Sequence, residues 1–240
     1  MTALEFAVQD VAGAIGARRV GADRVELCAA LGSTGGLTPS IGMIEAVVST
    51  GIPVHALIRC RAGGFVYAED EIAVMNADAK AAVSAGVAGL VVGALTPDHR
   101  VDVGVLERVL DGVPVGDIEL TFHRAIDQIA DRAAAIETLI DGGMTRVLTS
   151  GGAARCSDGL NELAAMVEQA AGRLQIMAGG GVTAADIPAL AHIGVDAIHL
   201  SARRVVADDG GPGGGTAGHE RLDDELAAAV AARLRTTAAG

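Results

Sequence analysis

The 240-residue chain contains no tryptophan, one tyrosine and three phenylalanines. Its core therefore cannot rest on stacked aromatics and must be assembled from Ala, Val, Leu and Ile. Cysteine is equally scarce. Cys28, Cys60 and Cys156 fall in no CxxC or CxxH spacing. That excludes a disulfide framework and a structural zinc signature, and it points to a reducing, intracellular compartment. The six histidines include no HxH or HExxH, so no metal-binding helix motif is present. No apolar run reaches the length of a bilayer span, and no charged segment leads into an apolar stretch at the start; neither a membrane helix nor a secretory signal is expected. Basic residues are outnumbered: 18 Lys and Arg stand against 30 Asp and Glu, a net charge of −12. This argues against nucleic acid or an anionic membrane as the main partner. It leaves room for a small anionic ligand held by local arginines. The expectation is a soluble, cytoplasmic protein.

What the chain does have is apolar residues, half of the total, and 33 glycines, the composition of a buried α/β core. Eight strand-like runs appear, each followed by a helical pattern. They are 4–8, 24–28, 54–59, 89–93, a run from Glu119 that gives way to loop at His123, 146–150, 174–178 and 197–203. Asp10 caps a helix running to about Gly21, and Thr38-Pro39 supplies an N-cap and first-turn proline. A long Ala-rich helix follows from about Glu69 to Ala85, and Ser157 and Thr183 are expected caps further on. A Gly-rich flexible loop over about 207–219 precedes a last helix from about Glu220 to Thr236. Gly21, Gly86, Gly143 and Gly194 each stop a helix just before an even-numbered strand, a weak internal repeat of two β/α units. Eight alternations predict one (β/α)8 TIM barrel spanning 1–240. A doubly wound open sheet is the runner-up, weakened because no GxGxxG follows the first strand.

The strands carry a phase. Glu5, Glu26, Arg59, Thr121, His123, His199 and Ser201 share one side, while Phe6, Val25, Leu27, Ile58, Leu120, Phe122, Ile198 and Leu200 occupy the other. In a barrel the apolar set faces the helices and the polar set lines the interior and mouth. The polar set is then either an internal ion-pair layer or the wall of a ligand pocket at the C-terminal mouth. The candidate reactive groups are His123, Glu26, Asp127, Arg59, Arg61 and Glu5. His123 and Glu26 would move protons, with Asp127 orienting His123. Arg59 and Arg61 would bind an acidic group or pair with Glu5 and Glu26 as scaffold. Three Gly-rich strand ends could cradle an anion through Ser150 and Gly151, through Gly180 and Gly181, and through Ser201 and Arg203. Their glycines could equally be there only to permit tight turns. Cys28 at a strand end is a soft ligand suited to Cu(I), or else a small buried hydrophobe.

These residues, in order, resemble the CutC family, named for copper homeostasis, over nearly the whole chain. The matching segments are Gly21-Ala22-Asp23-Arg24-Val25-Glu26-Leu27-Cys28, Gly35-Gly36-Leu37-Thr38-Pro39-Ser40, Ile58-Arg59 with Arg61, Thr121-Phe122-His123-Arg124-Ala125 with Asp127, Arg146 to Gly151, and Gly179-Gly180-Gly181. The resemblance implies a cytosolic (β/α)8 barrel, often a homodimer, associated with copper. Two departures stand out. Ala7 and Asp10 replace a cysteine and a serine usual in the family's first strand, which leaves Cys28 alone of the strand-one and strand-two thiol pair. The loop after strand three, Arg59-Cys60-Arg61-Ala62-Gly63-Gly64-Phe65, lacks the family's proline and acidic residue. Three readings follow: a pocket for a small anionic, phosphorylated metabolite, with isomerase or lyase chemistry beside a carbonyl; a copper-handling protein through Cys28; or an interaction protein with a relict pocket.

Overall fold

In the computed structural model, which describes residues 2–208, 211 and 218–238, eight parallel strands close into a barrel in sequence order. They are β1 (Ala3–Val8), β2 (Arg24–Leu27), β3 (Val54–Leu57), β4 (Gly89–Val92), β5 (Glu119–Phe122), β6 (Arg146–Thr149), β7 (Gln175–Ala178) and β8 (Ala197–Leu200). Closure is made by β1 against β8, with Glu5 opposite His199. The helices around it are α1 (Val11–Val20), a single turn α2 (Leu31–Thr34), α3 (Ile41–Val48), α4 (Glu69–Ser84), α5 (Val103–Val109), α6 (Arg132–Asp141), α7 (Leu160–Ala170), α8 (Ile187–His192) and α9 (Asp224–Ala238). Among the described residues no helix is long and apolar enough to cross a membrane.

Sequence phase and packing agree. Phe6, Val25, Leu27, Ile58, Leu120, Phe122, Ile198 and Leu200 all lie in the large apolar core between strands and helices. The alternate side chains fill the barrel, which is polar at mid-height. Arg24 donates from Nε to Glu5 at 2.5 Å. Arg146, 1 % exposed, reaches Glu119 at 2.6 Å, Gln175 at 2.9 Å and Thr121 at 3.1 Å. An interior charge is tolerable only when so thoroughly paired. Glycine makes room where a ring must fit: a Cβ on Gly93 would lie 2.3 Å from the His123 ring.

Helix boundaries show where local signals were overruled. Asp10 caps α1, accepting from Gly13 N–H, and Gly21 ends it at φ 84°, as expected. Thr38 does not cap α3, however; Ser40 does, accepting from Met43 N–H. Thr38 is committed elsewhere, since its hydroxyl accepts from Arg59 N–H at 2.8 Å. Ser157 lies within a 3-10 turn, Cys156–Asp158, and Gly159 takes the cap position of α7. Asp186 precedes α8, and Thr183 donates its hydroxyl to Asp186 at 2.8 Å rather than capping. The eighth strand stops at Leu200 because the chain turns at Ala202, φ 38°. Arg203–Val206 then forms β9, which pairs antiparallel with β10, His219–Leu222. Glu220 therefore belongs to a hairpin, and the last helix starts at Asp224. Most of the expected Gly-rich loop, residues 209–210 and 212–217, lies outside the described residues.

Candidate functional site

A cavity of about 450 Å³ opens at the C-terminal end of the barrel, the end where the βα loops of this architecture build sites. Glu26, Arg59, His123, Gly180, Gly181, Ser201 and Arg203, all expected there from sequence, line it. Arg61, Asp127, Ser150 and Gly151 do not. Glu5 lies beneath, fully buried.

The cavity floor is an ion network. His199 Nδ1 lies 2.7 Å from Glu5 Oε1 and 3.8 Å from Glu26 Oε2. Burial opposes ionisation of Glu5, but the His199 hydrogen bond and the His199 and Arg24 charges outweigh it and hold its carboxyl well below the usual carboxylate range. Burial likewise opposes the charged form of His199, yet the Glu5 hydrogen bond and the two carboxylates push its pKa up. Glu26 Oε2 makes no hydrogen bond among the described residues. Burial raises it to about 7, the His199 charge only partly opposing, so it exchanges a proton near neutrality.

His123 follows β5 and begins a 3-10 turn, Arg124–Gln128, in which its Nδ1 accepts the Ala125 N–H at 3.2 Å. The ring proton is therefore assigned to Nε2. Burial and the Arg59 charge lower its pKa to about 3, so the ring is neutral and presents a donor. This corrects the expectation of a base oriented by Asp127. Asp127 turns instead to the loop after β6. It accepts from Thr149 Oγ1 at 2.6 Å, Ser150 N at 3.0 Å, Ser150 Oγ at 3.0 Å, Gly152 N at 3.1 Å and Arg124 Nε at 2.8 Å. The Gly151 N–H goes to Thr149 Oγ1 at 2.9 Å. Ser150 and Gly151 thus form no open cradle, because the protein's own carboxylate fills it.

After β7 the carbonyls of Gly180 and Gly181 accept from Cys156 N–H and Arg155, but their own donors differ. The N–H groups of Gly180 and Gly181 have no acceptor among the described residues, and both residues have positive φ, 101° and 71°. Successive N–H groups in such a turn form a concave anion site. The Arg124 guanidinium lies against Gly180, where an added Cβ would stand 3.0 Å from Cζ. Arg203 reaches the rim, but its Nη1 is already given to Glu220 at 2.5 Å.

Arg59 and Arg61 part company. Arg59 is 6 % exposed and donates to the carbonyls of Thr34, Gly36 and Gly63, while its guanidinium lies over Phe65 at 5.0 Å. Arg61 turns outward to pair with Glu71 and lies over Tyr67 at 5.1 Å. The sequence marked His199 only as one of the residues that could converge at the mouth, and gave Arg124 and Phe65 no site role. Strand phase marked His199, and Arg124 adjoined His123, but nothing local indicated that Phe65 would lie 4.7 Å from the His123 ring.

The CutC family profile matches residues 2–204. The chain belongs to the CutC family. The family protein CutC of Xylella fastidiosa (strain 9a5c) is 47 % identical over 206 residues, 85 % of this chain and 76 % of that one. The corresponding protein of Vibrio atlanticus is 41 % identical, over 84 % of this chain and 82 % of its own. The crystal structure of CutC from Streptococcus agalactiae, a protein named there for copper homeostasis, superposes with a TM-score of 0.78 at 33 % identity, covering 84 % of this chain and 99 % of that one. A thiamine phosphate pyrophosphorylase from Pyrococcus furiosus shares the fold alone, with TM-score 0.62 and 11 % identity over 98 % of this chain and 96 % of that one.

The family name invites a test against copper. Cu(I) selects thiolates, but burial and the nearby Glu26 charge push the Cys28 thiol well above its ordinary pKa. Its sulfur faces the Val8 carbonyl at 3.8 Å and packs with Leu57 and Val91, as a small hydrophobe does. Among the described residues, the one group able to converge on a cation is Glu5, Glu26 and His199. That set is hard in character, and Arg24 and His199 already neutralise it. Neither Cys28 nor this group fits Cu(I).

Proposed function

We propose that the barrel mouth binds a small anionic metabolite through a phosphate group. The observation that carries this reading is the pair of N–H groups at Gly180 and Gly181 that find no acceptor among the described residues, beside the Arg124 guanidinium, at the open end of the barrel. Ser201 and Arg203 on the neighbouring strand end border the same space. An anion there gains backbone donors and a cation in a partly dehydrated site, where both count for more than in water. The strongly negative net charge does not oppose this, because the local field is set by the nearest arginines.

Titration with inorganic phosphate, followed by 31P NMR and calorimetry, tests the reading. We expect saturable one-site binding to the wild type and at least about tenfold weaker binding to Gly180→Ala, whose Cβ narrows the cradle against Arg124. Equal affinity in the two proteins would refute the assignment. The same reading places the protein in a reducing cellular compartment as a homodimer. Its three free cysteines fit the first, and the half-exposed Ile15 on α1 and Ile41 on the adjoining α3 fit the second. Light scattering should then give twice the mass of one chain.

A further inference from the structure

Three buried polar atoms on the cavity-lining residues have no hydrogen-bond partner among the described residues: Glu26 Oε2, Arg59 Nε and His123 Nε2. Each residue is only 6 % exposed. Folded proteins leave few such atoms unpaired, because a buried polar atom stripped of water and given no partner is costly. One orphan can be incidental. Three on the wall of a single cavity, from the ends of β2, β3 and β5, make a pattern with readable chemistry.

The types are complementary. His123 Nε2 carries the ring proton, because Nδ1 accepts from Ala125, so it is a donor. Arg59 Nε is a donor on a side chain that makes no ion pair among the described residues, its other donors going to backbone carbonyls. A buried cation without a counter-charge asks for an anion. Glu26 Oε2 is an acceptor. The Phe65 ring lies against both donors, 4.7 Å from the His123 ring and 5.0 Å from Arg59 Cζ. For a ligand to reach them that ring must move aside, and for it to reach Glu26 Oε2 the carboxyl must rotate about its soft terminal torsion.

We infer that the cavity is built for a phosphorylated hydroxy acid: phosphate on Gly180, Gly181 and Arg124, carboxylate on Arg59 and His123, and a hydroxyl donating to Glu26. This deepens the proposed phosphate site and rests on it. The raised pKa of Glu26 accords with an acceptor still awaiting its donor.

The test is calorimetry at pH 8 with four probes: D-3-phosphoglycerate, 3-phosphonooxypropanoate (the same chain without the hydroxyl), glycerol 3-phosphate (no carboxylate) and inorganic phosphate. We expect D-3-phosphoglycerate to bind at least about tenfold more tightly than either truncated probe, as befits loss of one charge-assisted hydrogen bond. In Glu26→Leu, D-3-phosphoglycerate and 3-phosphonooxypropanoate should bind alike; Phe65→Leu should retain the wild-type order. If all four probes bind the wild type equally, the hydroxy-acid assignment fails and the phosphate site stands. If none binds, both fail. The wild-type order alone decides the matter should Glu26→Leu not fold.

Discussion

The loops after β6 and β7 start from the same material, Ser150-Gly151-Gly152 and Gly179-Gly180-Gly181, and each holds two successive glycines at positive φ. Their chemistry is opposite. In the first, the donors of Thr149, Ser150 and Gly152 converge on the Asp127 carboxylate. In the second, the N–H groups of Gly180 and Gly181 have no acceptor among the described residues. One cradle is filled by the chain's own anion, and the other keeps the open donors on which the proposed phosphate site rests. The residue that decides lies 23 positions upstream of Ser150, so neither loop's sequence reveals which kind it is.

Removing the internal anion gives the largest effect. Asp127→Ala leaves the donors of the β6 loop and the Arg124 guanidinium facing an empty space, and we expect a loss of about 3–5 kcal/mol in urea unfolding. Phosphate should restore part of that stability, and more than it adds to the wild type, because the vacated cradle becomes a second anion site. A variant that unfolds at the wild-type urea midpoint would show that Asp127 is not what organises this loop.

The same contrast between satisfied and orphaned groups separates Glu5 from Glu26. Burial raises the Glu26 pKa to about 7 in the folded protein, against an ordinary value of 4.5. The folded state therefore binds more protons than the unfolded chain between those values. The contribution is fully present below about pH 4.5 and is lost as pH rises through 7. Glu26→Gln removes this titration, so it should be more stable than wild type at pH 8, by about 3 kcal/mol at most, and level with it near pH 4.5. Parallel stability curves for the two proteins from pH 4.5 to 8 would contradict the burial of an unpartnered carboxyl.

Much of this was legible in advance. Period-two alternation in the strands set which side chains entered the barrel, because a strand offers only two faces. That phase alone brought Glu26, Arg59, His123 and His199 to one axis. The helix stop at Gly21 was equally plain. What sequence could not show was competition between partners at a distance. Thr38 has the chemistry of a helix cap but serves Arg59. Asp127 stands beside His123 in sequence but bonds to the next strand's loop. Glu220 reads as the start of a helix, yet it stands in β10 and holds Arg203. In each case a long-range hydrogen bond outcompeted the local one.

Paired alanine substitutions sharpen the loop comparison at smaller amplitude. A Cβ on Gly151 would stand 2.6 Å from the Gly159 backbone carbonyl, which cannot yield, whereas on Gly180 it meets the Arg124 side chain at 3.0 Å, which can. Gly151→Ala should therefore cost about 2 kcal/mol or more, and Gly180→Ala about 1 kcal/mol from its left-handed backbone. Ligand affinity should follow the reverse order, with phosphate binding kept in the first and lost in the second. The two effects moving together would mean that the loops do not differ as their hydrogen bonds indicate.

The smallest effect belongs to Arg61, and it tests the comparison from outside. Arg59 and Arg61 leave the same strand end, but only Arg59 borders the cavity. Arg61 is spent on Glu71 and on the carbonyls of Gly64 at 2.9 Å and Val66 at 2.7 Å. Its side chain is 37 % exposed, so solvent screens the pair and Arg61→Ala should cost only about 0.5–1 kcal/mol. D-3-phosphoglycerate affinity should stay within about twofold of wild type, the range of a substitution that touches no ligand atom. Arg59→Met, which removes an uncompensated buried cation, should instead lose most of the carboxylate preference. A tenfold loss in Arg61→Ala would mean that the loop carrying Phe65 depends on this surface pair for its position, and that the cavity extends energetically beyond its walls.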